Sequence, residues 1–406
     1  MKTIKTRVFT LLTLTIATCL TFAQKTKVIN VRQELSQARA ILKSGKNVEQ
    51  AEKMMTSLLK DSANRDNKKV YATWFEAVHM QYEAINEKLY IKQRQDTTQF
   101  YSLTKRMFDI ATTLDSIDMR PDKKGKVAPE YRRDNARQLM TYRPNLLYAT
   151  TYFVRKGDYQ KAFEYGEEYI DCARQPLFSD YKLDSTDTRI AEAAYWTTYS
   201  AYRMKDAVKT LRYRNLALAD TTKLQFTLQY IAEARRWLND DSLYVETLTK
   251  GFDLFPKNPY FFPLLLDYHT SHDNNQRALQ IVNHALEAND SSQLTLYAKA
   301  TILFNLEKYD ESIQVTNALL ERNDSMPDAY YNLGGCYMNK ALTPEAKCNK
   351  KCQRQLYQQA RQAMERYRQL APDQKQKWGP ALYRIYLNLN MGRQFDEIDR
   401  LLRPSA

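Results

Sequence analysis

The chain has 406 residues, a formal net charge of +14, 43% hydrophobic and 12% aromatic side chains. It holds only 9 Gly and 12 Pro, against about 28 and about 20 at average usage, so turn-rich β sandwiches and barrels are disfavoured. With 27% charged residues beside that apolar content, the composition argues against bulk disorder, and a repeat array would leave the domain count independent of length.

At the N-terminus, Lys2, Lys5 and Arg7 precede an uncharged apolar or Thr-rich stretch, 8–22. At about 15 residues it is too short to span a bilayer comfortably and suits the apolar region of a secretory signal. Thr21-Phe22-Ala23 sets small residues where signal peptidase reads, so cleavage is expected before Gln24, with 1–23 as the signal peptide. Ile16-Ala17-Thr18-Cys19 offers a rival, a lipoprotein box with Cys19 lipidated, although Thr18 fits it poorly. Either way the chain is expected to be exported, to the periplasm or the outer membrane. No later segment is apolar enough to span a membrane. A basic excess in a cytosolic protein points to nucleic acid. For an exported chain no nucleic-acid partner is expected, and peripheral contact with anionic envelope polymers takes its place. The alternative is that the charge only keeps an elongated protein soluble.

Further along, 38–59 reads as a first helix hairpin with Gly45 at its turn. Segments 70–90 and 100–114 follow as a longer, divergent helix pair. The stretch 120–129, with Lys123, Lys124, Gly125 and Lys126, reads as an exposed, mobile loop. In 145–171, Lys156-Gly157-Asp158-Tyr159 is a helix–turn–helix joint with Gly at the turn. A second linker of turn-forming residues, 176–187, leads to a hairpin over 191–218 joined near Lys205-Asp206. Divergent hairpins are thus expected over 24–140 and degenerate repeats over 141–224.

From 225 to 406 the chain repeats in register. Leu228, Phe262, Leu296 and Tyr330 are each 34 residues apart, and so are Ala232, Leu266, Ala300 and Gly334. Tyr244, Ala278 and Ser312 keep the same step, as do Pro256, Asp290 and Asp324. The next unit carries 14 extra residues near 341–354, which moves the Ser312 column to Ala360 and the Tyr330 column to Trp378. The register therefore survives the insertion.

One unit reads Tyr330-x2-Leu333-Gly334-x2-Tyr337, then Ala360-x3-Met364, then Pro372. This resembles the tetratricopeptide repeat (TPR) signature, W-x2-L-G-x2-Y, A-x3-F and P in a 34-residue unit. The resemblance covers roughly 225–390. It implies an all-α fold, an α-solenoid of about nine antiparallel helix hairpins wound as a TPR-like right-handed superhelix. Small residues at Ala232, Ala300 and Gly334 would let paired helices approach closely, and one hairpin cannot bury its apolar face without stacking on the next.

No enzyme signature is present: no phosphate loop, no dinucleotide-binding Gly pattern, no H-E-x-x-H and no G-x-S-x-G. No catalytic residue and no cofactor is expected. His269-x2-His272 could share a helix face, but further zinc ligands are not supplied nearby and His269 occupies a packing column, so no metal is expected. Beyond the leader there are four cysteines, Cys172, Cys336, Cys348 and Cys352. In an oxidising compartment Cys348–Cys352 is the first pairing, which needs a bent or irregular insertion, and Cys336 with either one is the rival.

Asp followed by Ser or Thr and then Ala, Ile, Leu, Met or Thr occurs seven times, with Ser62, Thr97, Ser116, Ser185, Thr221, Ser242 and Ser325 as the hydroxyl residues. The pattern resembles an O-glycosylation sequon of exported Gram-negative proteins. Helix caps and turns are the competing account of Asp-Ser and Asp-Thr pairs.

The TPR resemblance also implies that a protein or peptide partner binds the concave face, lined by the first helix of each unit. Mapped on this sequence, that face includes Arg236, Trp237, Tyr297, Phe304, Asn305, Tyr331, Asn339, Tyr383 and Tyr386. Asn305 and Asn339 stand one repeat apart, as do Tyr297 and Tyr331; Asn side chains pair with a peptide backbone through both amide groups. The Lys-rich carboxylate clamp of chaperone-binding members is not reproduced in the sequence. The expected function is a non-enzymatic protein-interaction scaffold of the bacterial cell envelope. A glycan-handling accessory protein of the outer membrane on the same helical scaffold is the alternative.

Overall fold

The computed structural model describes residues 30–121, 124–288 and 292–403, apart from the side chain of Cys348. The expected signal peptide and Cys19 lie outside the described residues. Among the described residues all regular structure is helical. The chain divides into two compact units, Met1–Met204 and Lys205–Ala406. That boundary falls ahead of residue 225, where the register seen in the sequence starts.

In the first unit, α1 (Val31–Ser44) is capped by Asn30, whose side chain accepts the Gln33 N–H. It ends at Gly45 with φ 68°, a left-handed conformation that favours a residue without Cβ. Antiparallel to it runs α2 (Val48–Leu58). The next pair, α3 (Lys68–Tyr90) and α4 (Thr97–Asp118), is longer, and begins at caps Asn67 and Asp96. Glu52 on α2 ties these helices together. Its carboxylate accepts from Trp74 Nε1 at 3.2 Å, Gln81 Nε2 at 2.7 Å and Arg106 Nη1 at 2.7 Å. Arg132, which opens α5 (Arg132–Tyr142), makes a two-pronged contact with buried Asp115 at 2.6 and 2.7 Å. A third pair, α6 (Pro144–Lys156) and α7 (Tyr159–Asp171), turns at Gly157 as the sequence predicts. Helix α7 lies between α6 and α9 (Ile190–Arg203).

The 176–187 segment is not the linker expected of its turn-forming residues. Pro176–Tyr181 is a 3-10 helix and α8 (Leu183–Thr186) a single turn, with Leu177, Phe178 and Leu183 buried. Arg143 fixes the end of the segment. Its guanidinium lies 3.8 Å from the centre of the Tyr169 ring, donates to the Tyr169 carbonyl at 2.8 Å and pairs with Asp187 at 2.7 Å.

The second unit opens with α10 (Ala207–Arg212) and α11 (Arg214–Ala217) against α12. Five helix pairs follow: α12 (Leu224–Trp237) with α13 (Asp241–Leu254), α14 (Phe261–Ser271) with α15 (Asn275–Ala288), α16 (Gln293–Asn305) with α17 (Tyr309–Arg322), α18 (Pro327–Lys340) with α20 (Lys350–Leu370), and α21 (Lys375–Asn388) with α22 (Gly392–Leu402). The second helix of each pair packs on the first helix of the next. This is an all-α solenoid of stacked hairpins. With the three pairs of the first unit, eight hairpins lie within the two units among the described residues.

The backbone extends the period further than the side chains do. Lys205, Asn239, Asp273 and Glu307 have φ of 58°, 55°, 54° and 60°, and stand 34 residues apart. Apolar columns miss the Lys205 unit because Thr198 and Thr210 fill the slots held by Ala232 and Tyr244 one repeat on. Both threonines are fully buried, and Thr210 spends its hydroxyl on the Asp206 carbonyl at 2.7 Å.

The insertion becomes a short helix, α19 (Pro344–Cys348), and an extension of α20 to 21 residues. Asn349 breaks the path between them and caps α20, so the backbone joining Cys348 to Cys352 is not a regular helix. Cys172, Cys336 and Cys352 carry free thiols, and the Cys348 side chain lies outside the described residues. Gly334 sits under Met364: an added Cβ would come within 2.7 Å of Met364 Cε. The close approach of α18 and α20 therefore rests on the glycine of the TPR signature.

Candidate functional site

Stacking brings the first helices of successive pairs side by side, α16 next to α18. A cleft of about 530 Å³ opens on α16, α18 and α21. Its walls include Tyr297, Phe304 and Asn305 of α16, and Tyr331 and Asn339 of α18. These are five of the nine side chains assigned to the concave face from the sequence. A second hollow of about 440 Å³ shares Tyr297, Thr301 and Asn305 with it and runs on to Phe262 and Leu266 of α14. A third shares Pro380 and Arg384 and reaches Tyr383 and Leu402. Shared residues make the three one groove across α14, α16, α18 and α21.

The remaining assigned residues sit elsewhere or behave differently. Tyr383 lines the third hollow and packs its ring 4.5 Å from that of Phe395. Arg236 is exposed on α12 and pairs with Glu233 at 2.5 Å. Trp237 ends the same helix, half-buried; neither residue lines the groove. Tyr386 corrects the sequence assignment. It is 3% exposed and belongs to the core between α20 and α21, where its hydroxyl donates to Glu365 Oε1 at 3.0 Å. A Tyr turned back onto the preceding helix has no free face for a partner.

The geometry also adds residues that the columns do not show. Lys377 and Arg384 of α21 line the cleft and are exposed. One repeat earlier their columns hold Ala329 and Cys336, both fully buried, so the pattern gives no reason to place charges there. Asn332 lies on the cleft floor, 8% exposed. The inner end of its amide is 3.1 Å from Ser312 Oγ, and the Cys336 thiol donates to it at 3.4 Å. Its column holds Leu264 and Ala298 in the preceding units, so a polar residue here is particular to this repeat. That break in an apolar column was the one available sequence signal for it.

The groove wall carries unspent amide groups. Asn305 and Asn339 make no side-chain hydrogen bond among the described residues, so both amides are available to a ligand. Tyr297 donates to nothing acidic at the wall; burial, with the Asp328 charge added, pushes its phenol up, and it stays a protonated hydroxyl. Tyr331, 39% exposed, packs its ring at a 49° tilt with its centre 5.1 Å from that of Tyr367, and lines the cleft. A Tyr held in this way offers apolar area at low entropic cost. Away from the groove, His272 stacks on Tyr268 at 4.2 Å. Among the described residues no group of three or more His, Cys, Asp or Glu side chains could hold a metal ion, and no helix is long and apolar enough to cross a membrane.

The stacked 34-residue helix pairs form an all-α repeat fold, and the residues from Tyr330 to Pro372 resemble the tetratricopeptide signature. No protein-family model and no curated protein matches the chain. Solved structures align with parts of the chain at low identity. The C-terminal part of a TPR repeat-containing protein from Cytophaga hutchinsonii is 11% identical with a TM-score of 0.41, over 62% of this chain and 92% of that one. A tetratricopeptide repeat protein from Parabacteroides merdae is 16% identical with a TM-score of 0.34, over 64% and 97%. YrrB, described as a TPR protein with an unusual peptide-binding site, is 15% identical with a TM-score of 0.35, over 48% and 92%.

Proposed function

We propose that this protein is a non-enzymatic scaffold that holds an extended peptide or protein segment in the groove of its second unit. The supporting observation is the convergence of Tyr297, Phe304, Asn305, Tyr331 and Asn339 on one cleft, with the amides of Asn305 and Asn339 unspent. An extended segment rises about 3.3 Å per residue and packed helices lie about 8–10 Å apart, so peptide groups about three residues apart would meet the Asn side chains of neighbouring repeats.

The envelope is the proposed location, on the strength of the leader-like 1–23 segment, with lipidation at Cys19 as the rival form of export. A Cys348–Cys352 disulfide, which oxidation of the thiol that Cys352 carries free in this structure would have to close, belongs to the same proposal, as does glycosylation at the seven Asp-Ser/Thr sites. Several of those Asp residues already serve turns: Asp61 and Asp96 cap helices, and Asp220 accepts the Thr222 N–H. Ser62, Ser116, Ser185, Thr221, Ser242 and Ser325 are exposed and Thr97 is half-buried. Ser116 lies within α4, where its hydroxyl donates to the Thr112 carbonyl. Intact mass of protein purified from envelopes tests lipid, disulfide and glycan together.

Aromatic side chains at Tyr297, Phe304 and Tyr331 also favour a second reading, glycan handling, because sugar faces pack on such rings. Trp378, by contrast, is buried at 4% exposure and offers no stacking surface. An affinity capture from crosslinked envelopes tests the leading reading. Wild type is run beside a variant with Tyr297, Asn305, Tyr331 and Asn339 all changed to Ala. A stoichiometric protein held by wild type and lost by the folded variant supports the scaffold. A protein retained by the variant contradicts the groove as its site, and capture of glycan alone favours the second reading.

A further inference from the structure

The charge of the cleft names the chemistry of its occupant. Its walls contain two cations, Lys377 and Arg384, and no carboxylate. Neither cation forms an ion pair among the described residues; Lys377 lies 5.8 Å over the Tyr331 ring and Arg384 is exposed. Elsewhere in this unit several basic side chains are paired, among them Arg236 with Glu233, Lys308 with Glu311, Arg368 with Glu397 and Arg403 with Asp399; what sets Lys377 and Arg384 apart is that both stand in one cleft without a carboxylate on its walls. The acids nearest the groove stand outside the cleft itself. Asp267 lines the second hollow, Asp399 lines the third beside Arg384 but is paired with Arg403, and Asp328 acts on Tyr297 from the first turn of α18.

The apolar part of the groove lies at the other end. Phe262, Pro263, Leu266, Leu294 and Ile302 line the second hollow, which is joined to the cationic cleft through Tyr297, Thr301 and Asn305. Between them Asn332 offers the outer end of a nearly buried amide. An occupant that satisfies all three features carries apolar side chains toward α14, a backbone amide over α18, and negative charge toward α21.

We infer that the groove selects an acidic extended peptide segment, with Asp or Glu side chains placed against Lys377 and Arg384. The inference rests on the peptide-binding reading above and sharpens it to a partner class. Carboxylate to guanidinium or ammonium is the charge-assisted pairing these two residues supply, and two unanswered cations in one cleft also speed the encounter with a negative partner.

The test uses the full chain and three fluorescein-labelled octapeptides of alternating sequence, Leu–Glu, Leu–Gln and Leu–Lys, followed by fluorescence anisotropy. The expected result is that Leu–Glu binds about tenfold or more tightly than Leu–Gln, that added salt erodes the difference, and that Leu–Lys binds worst. A Lys377→Gln/Arg384→Gln variant, altered only at exposed positions, should abolish the preference, so that Leu–Glu binds no more tightly than Leu–Gln. Equal binding of Leu–Glu and Leu–Gln, lost in a Tyr331→Ala/Asn339→Ala variant, would overturn the acidic preference and leave the groove intact as a peptide site. Leu–Glu binding untouched by the Gln variant would overturn the assignment of Lys377 and Arg384. Absence of binding by all three peptides would count against both readings.

Discussion

Ser312 and Asn332 face each other across 3.1 Å beneath the floor of the cleft, joining α17 to α18. Ser312 stands where neighbouring repeats place Tyr244, Ala278 and Ala360, and its hydroxyl also donates to the Ala300 carbonyl at 2.7 Å. One small polar residue thus holds three helices and the amide on the cleft floor.

Replacing it should be felt twice. Ser312→Ala removes the contact that fixes the inner end of Asn332 and is expected to cost about 1–2 kcal/mol in denaturant unfolding. Peptide affinity should fall as well, while a Thr substitution that restores a hydroxyl should recover part of both. Loss of stability with unchanged affinity would show that Asn332 does not touch the ligand.

The first unit depends on a different buried contact. Arg143 and Asp187, with side chains 5% and 7% exposed, close the 176–187 segment onto α7. Asp187→Ala leaves the guanidinium buried without its charge partner, a change that costs about 3–5 kcal/mol. Calorimetry should show a lowered unfolding transition. A paired Arg143→Met/Asp187→Leu variant should be less destabilised than Asp187→Ala, because it leaves no orphan charge.

That segment also shows where sequence patterns stop. Pro176, Ser179 and Asp180 read as turn formers, and they do form tight turns; nothing local says that Leu177 and Phe178 will be buried or that Arg143 will reach Asp187. Helix identity, by contrast, was legible wherever the pairing was local, as at Gly45, Gly157 and the Tyr330–Tyr337 signature. The groove lay between these cases. Tyr297, Asn305, Tyr331 and Asn339 announced themselves by the 34-residue step. Lys377 and Arg384 did not, because the insertion and Pro380 within α21 separate them from a repeat in which the same columns are core. Tyr386 failed for the related reason that a column position does not say which way a long ring turns.

His79 gives the first unit a pH dependence. Its ring lies 2.9 Å from the Tyr142 hydroxyl and 2.7 Å from Gln138 Nε2, with Glu83 at 3.4 Å. Burial lowers its pKa from 6.5, against the opposing pull of Glu83 and Glu76. A folded-state value below the unfolded one means that the unfolded chain takes up the proton first. The stability His79 contributes is therefore full above pH 6.5 and is lost as pH falls through the folded value. Urea midpoints measured from pH 7.5 downward should fall in that window for wild type and fall less for His79→Gln. Identical pH profiles would refute the assignment.

The central claim is that the groove along the first helices of the second unit holds an extended partner. Site-specific photocrosslinking in cells tests it most directly, with benzoylphenylalanine placed at Tyr331 on the cleft wall or at Leu254, an exposed position at the end of α13. The account predicts a discrete crosslinked polypeptide from position 331 and none from position 254. The same adduct from both positions, or from 254 alone, would contradict it.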